Sequence, residues 1–257
     1  VEHPDINKIA FTGSTEVGRG IAAGAAQTIK RVTLELGGKS ASVVFADADI
    51  EKAAAAAPSA VFGNAGQDCC ARSRILVESS QVDNFLAAME EAVKAIRVGD
   101  PLDASTEMGP LISASHREKV GSFVTGEEMV AFRGSAPDGP GYWFPPTVLA
   151  PMSNSDRASR EEIFGPVACV IPFDGEEEAI RIANDTEYGL SGSIWTRDGG
   201  RALRVARAID TGVLSINSNS SVRVSTPFGG FKQSGIGREL GPDALDHYTE
   251  VKNVFYS

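Results

Sequence analysis

Cysteine is too scarce in this chain to hold a fold together: there are three, Cys69, Cys70 and Cys169, and two of them are adjacent. They cannot build a disulfide framework, and no Cys/His spacing resembles a zinc site, so reduced thiols, a cytoplasmic setting and no metal are expected. Basic residues are also in deficit, 24 Lys and Arg against 34 Asp and Glu, for a formal charge of -10. A phosphate backbone is neutralised by clustered cations, and the lack of any basic stripe argues against a nucleic-acid partner. No apolar run approaches the roughly 18 residues that span a bilayer, and the N-terminus carries no signal-peptide pattern, so no membrane partner is expected. No fixed-period repeat is present, which removes solenoids and propellers.

What the chain does have is a globular balance, 42% hydrophobic and 23% charged over 257 residues, enough for one large or two ordinary domains. Short apolar runs alternate with helix-length segments. Lys8–Thr12 reads as a strand stopped by Gly13, and the Ala-rich stretch 21–29 as the helix after it. Further strands are predicted at 31–36, 42–45, 74–78, 167–172, 192–195 and 212–217. Helices are predicted from Ile50 onward, with Asp47 and Asp49 offering N-cap carboxylates, and at 82–96, 176–184 and 200–209. The stretches 99–115 and 127–146 read as turn-rich and irregular. This alternation calls for an α/β fold with a mostly parallel sheet covered on both faces. Residue 1 is Val and the first segment already approaches a strand, so the chain is expected to be truncated.

Two residues carry the chemistry. Cys69 follows the small turn Gly63-Asn64-Ala65-Gly66-Gln67-Asp68, and Glu35 ends an apolar strand just before Gly37-Gly38. A nucleophilic thiol and a base for water are the parts that covalent thioester chemistry needs. A carboxylate buried without a partner is costly, so Glu35 is a poor choice for packing; the alternative is a strand-end acid facing solvent. Asp68 would raise the thiol pKa if its charge faced the sulfur, so its carboxylate is expected to point away. Cys70 and Cys169 read as packed apolar groups. At Gly13-Ser14, a helix opening straight after a strand aims free N–H groups and a positive dipole end outward, which suits a pyrophosphate. The spacing is not G-x-G-x-x-G, and a plain turn with Ser14 as helix cap reads the same residues equally well.

With their flanks, five stretches in order resemble the signatures of the NAD(P)-dependent aldehyde dehydrogenase superfamily. They are Phe11-Thr12-Gly13-Ser14-Thr15-Glu16-Val17-Gly18, Leu34-Glu35-Leu36-Gly37-Gly38-Lys39, the run 62–74 around Gln67-Asp68-Cys69, Arg160-Glu161-Glu162-Ile163-Phe164-Gly165-Pro166, and Pro227-Phe228-Gly229-Gly230-Phe231 continuing to Glu239. The resemblance implies an aldehyde dehydrogenase-like fold in which Cys69 is the nucleophile and Glu35 activates water. It places Gly13 and Ser14 at the pyrophosphate of NAD or NADP, with Glu35, Leu36 and Gly37 lining the cofactor. Glu162 would hold the nicotinamide ribose, which a carboxylate suits because it accepts two hydroxyls at once, and Phe164 would flank the ring. Phe62 and Phe228 would wall the substrate tunnel. Arg223, in a hydroxyl-rich loop, is the candidate partner for an anionic substrate tail, with a solvated surface charge as the alternative.

The same resemblance divides the chain into 1–38, the end of a dinucleotide-binding domain, 39–233, a catalytic domain, 234–247, a return segment, and 248–257, an oligomerisation strand. Arg31 and Arg238 would meet Glu250 in an ion-pair network, and the full-length protein would be a homo-dimer or homo-tetramer acting on a small aldehyde. Family members carry a long N-terminal portion with most of the cofactor domain, so these 257 residues alone are expected to be nearly inactive. Three rivals remain: a hydrolase or transferase using a histidine base, disfavoured because His3, His116 and His247 lie outside the signatures; a dehydrogenase that passes its acyl group to coenzyme A; and a non-catalytic fragment that keeps the fold.

Overall fold

The computed structural model of the chain describes residues 1–126 and 129–257. The elements run β1 (Lys8–Thr12), α1 (Thr15–Ala26), β2 (Arg31–Glu35), β3 (Ala41–Val44), α2 (Ile50–Phe62), β4 (Arg74–Glu78), α3 (Val82–Lys94), α4 (Ala114–Gly121), β5 (Val130–Arg133) and β6 (Thr147–Leu149). They continue with α5 (Arg157–Arg160), β7 (Val167–Phe173), α6 (Gly175–Asn184), β8 (Tyr188–Gly189), β9 (Ser191–Trp195), α7 (Gly199–Ala208), β10 (Val213–Ile216), β11 (Phe231–Lys232) and β12 (Gly235–Ile236).

Seven strands form the main sheet in the order β10-β9-β3-β4-β7-β6-β5, parallel throughout except where β5 turns back on β6. Its central strands are buried on both faces, so they read as continuous apolar runs: Val43, Val44, Ile75, Leu76, Val77 and Val170 are all sealed from solvent. The chain adds β4 and β7 on one side of β3, then returns to lay β9 and β10 on its other side. Right-handed crossovers therefore put α2 and α3 on one face and α6 and α7 on the other, and the helices do pack in those two pairs. The faces they bury are set by sequence: Phe85, Met89 and Val93 recur at i, i+4 and i+8 on α3, while α2 brings Ala53, Ala54, Ala57 and Val61 to the interface. A second, small sheet holds β1 parallel to β2 and β12 antiparallel to it, pairing Gly235 with Glu35.

Several sequence expectations are corrected here. The first helix starts at Thr15 rather than residue 21, because Ser14 caps it by accepting from the Val17 N–H at 3.3 Å. Asp49 caps α2, but Asp47 does not; its carboxylate is drawn across the sheet end to the Thr196 hydroxyl and Arg201. Helix α4 starts at the end of the stretch read as turn-rich and runs through 116–121, where the sequence predicts no element, since it buries only Val120 and shows no amphipathic stripe. The stretch 127–146 holds β5, and β6 follows it; residues 127 and 128 of that stretch lie outside the described residues. The segment 248–257, expected as a strand with one buried face, forms no strand and is exposed along its whole length. A strand needs a neighbouring ladder, and a single copy offers it none.

Candidate active site

Open parallel sheets usually bind ligands beyond the carboxyl ends of their strands. Here the chemistry-bearing residues collect at the opposite end, in the segments that lead into β3 and β4. Leaving α2, the chain passes through three successive left-handed residues, Asn64 (φ 53), Ala65 (φ 55) and Gly66 (φ 70), before reaching Cys69. Two of these are not glycine, a conformation that persists only when its surroundings hold it. The clamp is visible: the Asn64 amide donates to the Gln67 carbonyl at 2.9 Å, and Gln67 donates back to the Asn64 carbonyl at 3.1 Å. Gln67 also accepts from the Ile112 N–H at 3.0 Å, and Gly66 lies so close to the Gly165 carbonyl that no side chain fits between them.

Cys69 is partly exposed, whereas Cys70 and Cys169 are buried, as the sequence predicts. The Asp68 carboxylate does not point away. One of its oxygens accepts from the Cys70 N–H at 2.8 Å, and its ligand atom lies within 4.8 Å of both sulfurs. The backbone donor of the turn attracts the acid more strongly than the thiols repel it. The hydrogen bond between the two thiols pushes the Cys69 pKa up, reinforced by burial and by the charges of Cys70, Asp68 and Glu162. That same bond draws Cys70 down, helped by Arg72 and by a hydrogen bond from Ser191. Adjacent thiols cannot both ionise easily, so the two titrate as a pair.

The Glu35 segment reaches this turn through its glycines. A Cβ on Gly38 would overlap the Cys69 carbonyl, which is backbone, so that approach needs glycine, and one on Gly37 would meet the end of the Glu162 side chain. The Gly38 N–H donates to Glu162 Oε1 at 2.9 Å. Burial raises the Glu162 pKa, offset in part by that N–H and by the charges of Lys119 and Lys39. Glu35 itself is buried, with both carboxylate oxygens unpartnered. Its pKa is raised to about 7 by burial and by Glu239, against the lowering pull of Arg238. Its Oε1 faces the C-terminal signature, 2.8 Å from where a Gly229 Cβ would stand.

A dinucleotide fits these residues on three counts. Ser14 accepts one N–H at the start of α1 and keeps its own hydroxyl proton to donate. The Gly13 N–H is held by the Glu35 carbonyl at 3.0 Å, which fixes the turn beside the acid. Glu162 lies over a cradle, at Gly37 and Gly38, that any Cβ would fill. The Leu36 side chain is buried beneath Gly18 of α1, and its N–H donates to the Ser234 carbonyl at 2.9 Å. Phe164 is exposed and left-handed (φ 56), not a core residue, and its carbonyl is bonded to His116 Nε2 at 2.6 Å.

Other expected site residues fall apart from this group. Phe62 is buried at the end of α2 and lines a cavity that Ala92 and Ile96 also line. Phe228 is half-buried and pairs with Glu239 through reciprocal 2.7 Å backbone bonds. Arg223 is exposed and spends its guanidinium on Ser220 and the Val222 carbonyl of its own loop. Arg31 does pair with Glu250, at 2.8 Å, but Arg238 does not join them. Its guanidinium instead caps the Gly230 and Gly237 carbonyls at 3.1 and 2.6 Å, the acceptors nearest its own turn. Sequence reasoning missed Lys39, Arg72, His116 and Glu239. Lys39 is buried with its amine unpartnered and its pKa pushed down by burial to about 8. Arg72 had a signal: it is a charged residue in an otherwise small-residue run after the thiols.

Known proteins share this fold. The family model described as "Aldehyde dehydrogenase family" matches residues 1–254. The chain is 44% identical over 259 residues to a geranial dehydrogenase of Castellaniella defragrans, covering 99% of this chain and 54% of that protein. It is 45% identical over 262 residues to betaine aldehyde dehydrogenase 1 of Rhizobium meliloti, with the same coverage of 99% and 54%. Among solved structures, the betaine aldehyde dehydrogenase of Staphylococcus aureus in complex with NAD+ superposes with a TM-score of 0.91 at 42% identity, over 96% of this chain and 50% of that one. The NAD+ complex of an aldehyde dehydrogenase from Bacillus cereus gives 0.93 at 42% identity, over 98% and 52%. The chain thus spans about half the length of the curated relatives it matches. Over that span, the contacts between the Cys69 turn, the Gly37-Gly38 pair and Glu162 occur within an aldehyde dehydrogenase fold, and the chain belongs to the aldehyde dehydrogenase family.

Proposed function

We propose that this chain carries the thiol-bearing part of an enzyme that oxidises an aldehyde to a carboxylic acid with NAD or NADP. The observation that supports it best is the meeting at Gly38, whose Cα lies against the Cys69 carbonyl while its N–H is bonded to Glu162. Cys69 adds as thiolate to the aldehyde carbonyl to give a thiohemiacetal, and its backbone N–H is the donor for the developing oxyanion. The bound nicotinamide supplies the hydride acceptor that lets this adduct become a thioester on sulfur. Glu162 accepts the ribose hydroxyls, Ser14 and Gly13 face the pyrophosphate, and Phe164 flanks the ring. Glu35, with a pKa of about 7, then takes a proton from the water that releases the acid.

The named relatives act on aldehydes as different as geranial and betaine aldehyde, so the class of substrate proposed is an aldehyde without further definition. Residues 1–38 complete a cofactor domain, 39–233 are catalytic, and 248–257 pair with a second copy in a homo-oligomer. The test is made on the full-length protein with NAD, NADP and a panel of short aldehydes. Cys69→Ala is expected to abolish NADH formation, and Glu35→Gln to give one burst per site followed by a stall. Turnover surviving in Cys69→Ala would remove the reading.

A further inference from the structure

Two arginines lie on the path from the nucleophile into β4, and they are built differently. Arg74 is buried and spends its guanidinium on the Lys39, Ile182 and Ala183 carbonyls and on Asn154, at 2.9 to 3.0 Å. Four of the five N–H donors of that fork are used, and all three nitrogens take part, as in a structural brace. Arg72 is 5% exposed, yet it donates only twice: Nη1 to the Cys70 carbonyl at 2.8 Å and Nη2 to the Ser221 hydroxyl at 2.7 Å. Its Nε is buried with no partner, and it makes no ion pair with a carboxylate among the described residues. A buried cation in that state is expensive unless a negative charge faces it.

The charges that do face it belong to the thiol turn. Burial lowers the Arg72 pKa, and Cys70, Asp68 and Cys69 counter that. Two serines flank it: the Ser221 hydroxyl accepts from Arg72 at 2.7 Å, and the Ser191 hydroxyl approaches that of Ser221 at 3.5 Å. Ser221 belongs to the hydroxyl-rich loop between β10 and the C-terminal signature, 149 residues away in sequence. One side chain therefore bridges the backbone of the nucleophile turn and the loop beside it.

We propose that Arg72 is a positioning residue for the reacting thiol: it ties the Cys70 carbonyl to the Ser221 loop, and it supplies the buried positive charge that a thiolate of the Cys69–Cys70 pair faces. Asp68 and Glu162 are the acids that oppose it at the pair. The inference rests on Cys69 being the reacting residue, and its first readout needs no turnover. Iodoacetamide alkylation of Cys69, followed by peptide mass spectrometry across a pH series, is measured in the full-length protein, its Arg72→Gln and Arg72→Lys variants, and Ser221→Ala.

Arg72→Gln is expected to move the alkylation midpoint up by about one pH unit, a tenfold loss of rate below it, the low end of the about 1 to 3 units that a nearby opposite charge is worth. Arg72→Lys keeps the charge and restores the midpoint, but an ammonium cannot bridge two fixed acceptors as a planar fork does. KM for the aldehyde therefore stays raised in Arg72→Lys, and rises in Ser221→Ala with its midpoint unmoved. An unmoved midpoint in Arg72→Gln, or equal upward shifts in the Gln and Lys variants, overturns the charge role. An unchanged KM in Ser221→Ala overturns the bridging role. If Arg72→Gln does not fold, the Lys variant and Ser221→Ala decide each half. Absent dehydrogenase activity with a normal alkylation pattern would count against the catalytic reading while leaving this one standing.

Discussion

Glu35 is the residue at which folding and chemistry conflict. It is buried and has no hydrogen-bond partner on either oxygen, so the native state favours its neutral form and its pKa rises from 4.5 to about 7. A base with that value is half-ionised near neutral pH, and release of the acyl group is expected to speed up with pH through about 7. The stability consequence has the opposite sense. Between pH 4.5 and 7 the folded chain keeps a proton that the unfolded chain has lost, so stability is full below 4.5 and declines as pH rises through 7. Comparing melting temperatures at pH 5 and pH 8 tests this directly: the wild type should lose more than Glu35→Gln, whose neutral amide cannot titrate. Parallel curves for the two proteins would mean that Glu35 is not held neutral.

At the scale of elements, the junction between the Glu35 strand and the nucleophile turn depends on a missing side chain. A Cβ at Gly38 overlaps the Cys69 carbonyl, which is backbone and cannot rotate aside. Gly38→Ala is therefore expected to displace the Cys69 turn and cost about 1 to 3 kcal/mol of stability. A misplacement of about 1 Å at a reacting group is worth on the order of a hundredfold in rate. Gly20→Ala on α1 is the control, because that position is open and helical, and it should raise stability by roughly 0.5 to 1 kcal/mol. Urea melts and steady-state rates of both variants would separate the two effects.

This junction also shows what a sequence makes legible. The strands at Lys8–Thr12 and Arg74–Glu78 are readable residue for residue, because each is a short, largely apolar run with little exposed surface. Cys69 and Glu35 are readable because a thiol and an acid beside glycines stand out from packing residues. Helix α4 is not, since it is held by the Ser113 cap and by neighbours distant in sequence rather than by its own pattern. The direction of a side chain is equally hidden: Asp68 and Arg238 stand at the expected positions yet point elsewhere, and each is steered by a backbone group that only the folded chain supplies.

For the molecule as a whole, the least explained surface is its C-terminal end. Val251, Val254, Phe255 and Tyr256 are each at least 79% exposed, a run of apolar groups on a segment without secondary structure. Thin contacts tie it to the body: the Arg31–Glu250 ion pair at 2.8 Å, the Arg31 bond to the Thr249 carbonyl at 2.7 Å, Lys8 at 4.3 Å from the Tyr248 ring centroid, and bonds from the Tyr248 N–H and the Thr249 hydroxyl to the Leu245 carbonyl. Exposed pairs of this kind contribute about 0 to 1 kcal/mol each, too little to hold such a segment against its own entropy. If it pairs with a second copy, the apolar surface is covered and the unpaired backbone gains a ladder. Deleting 248–257 from the full-length protein is then expected to lower the assembly state in sedimentation velocity while leaving the main sheet folded by circular dichroism. Glu250→Lys, which reverses one charge and keeps the apolar groups, should weaken assembly only in part and more at low salt than at high salt. Unchanged sedimentation of the deleted protein would show that the segment serves no contact between copies.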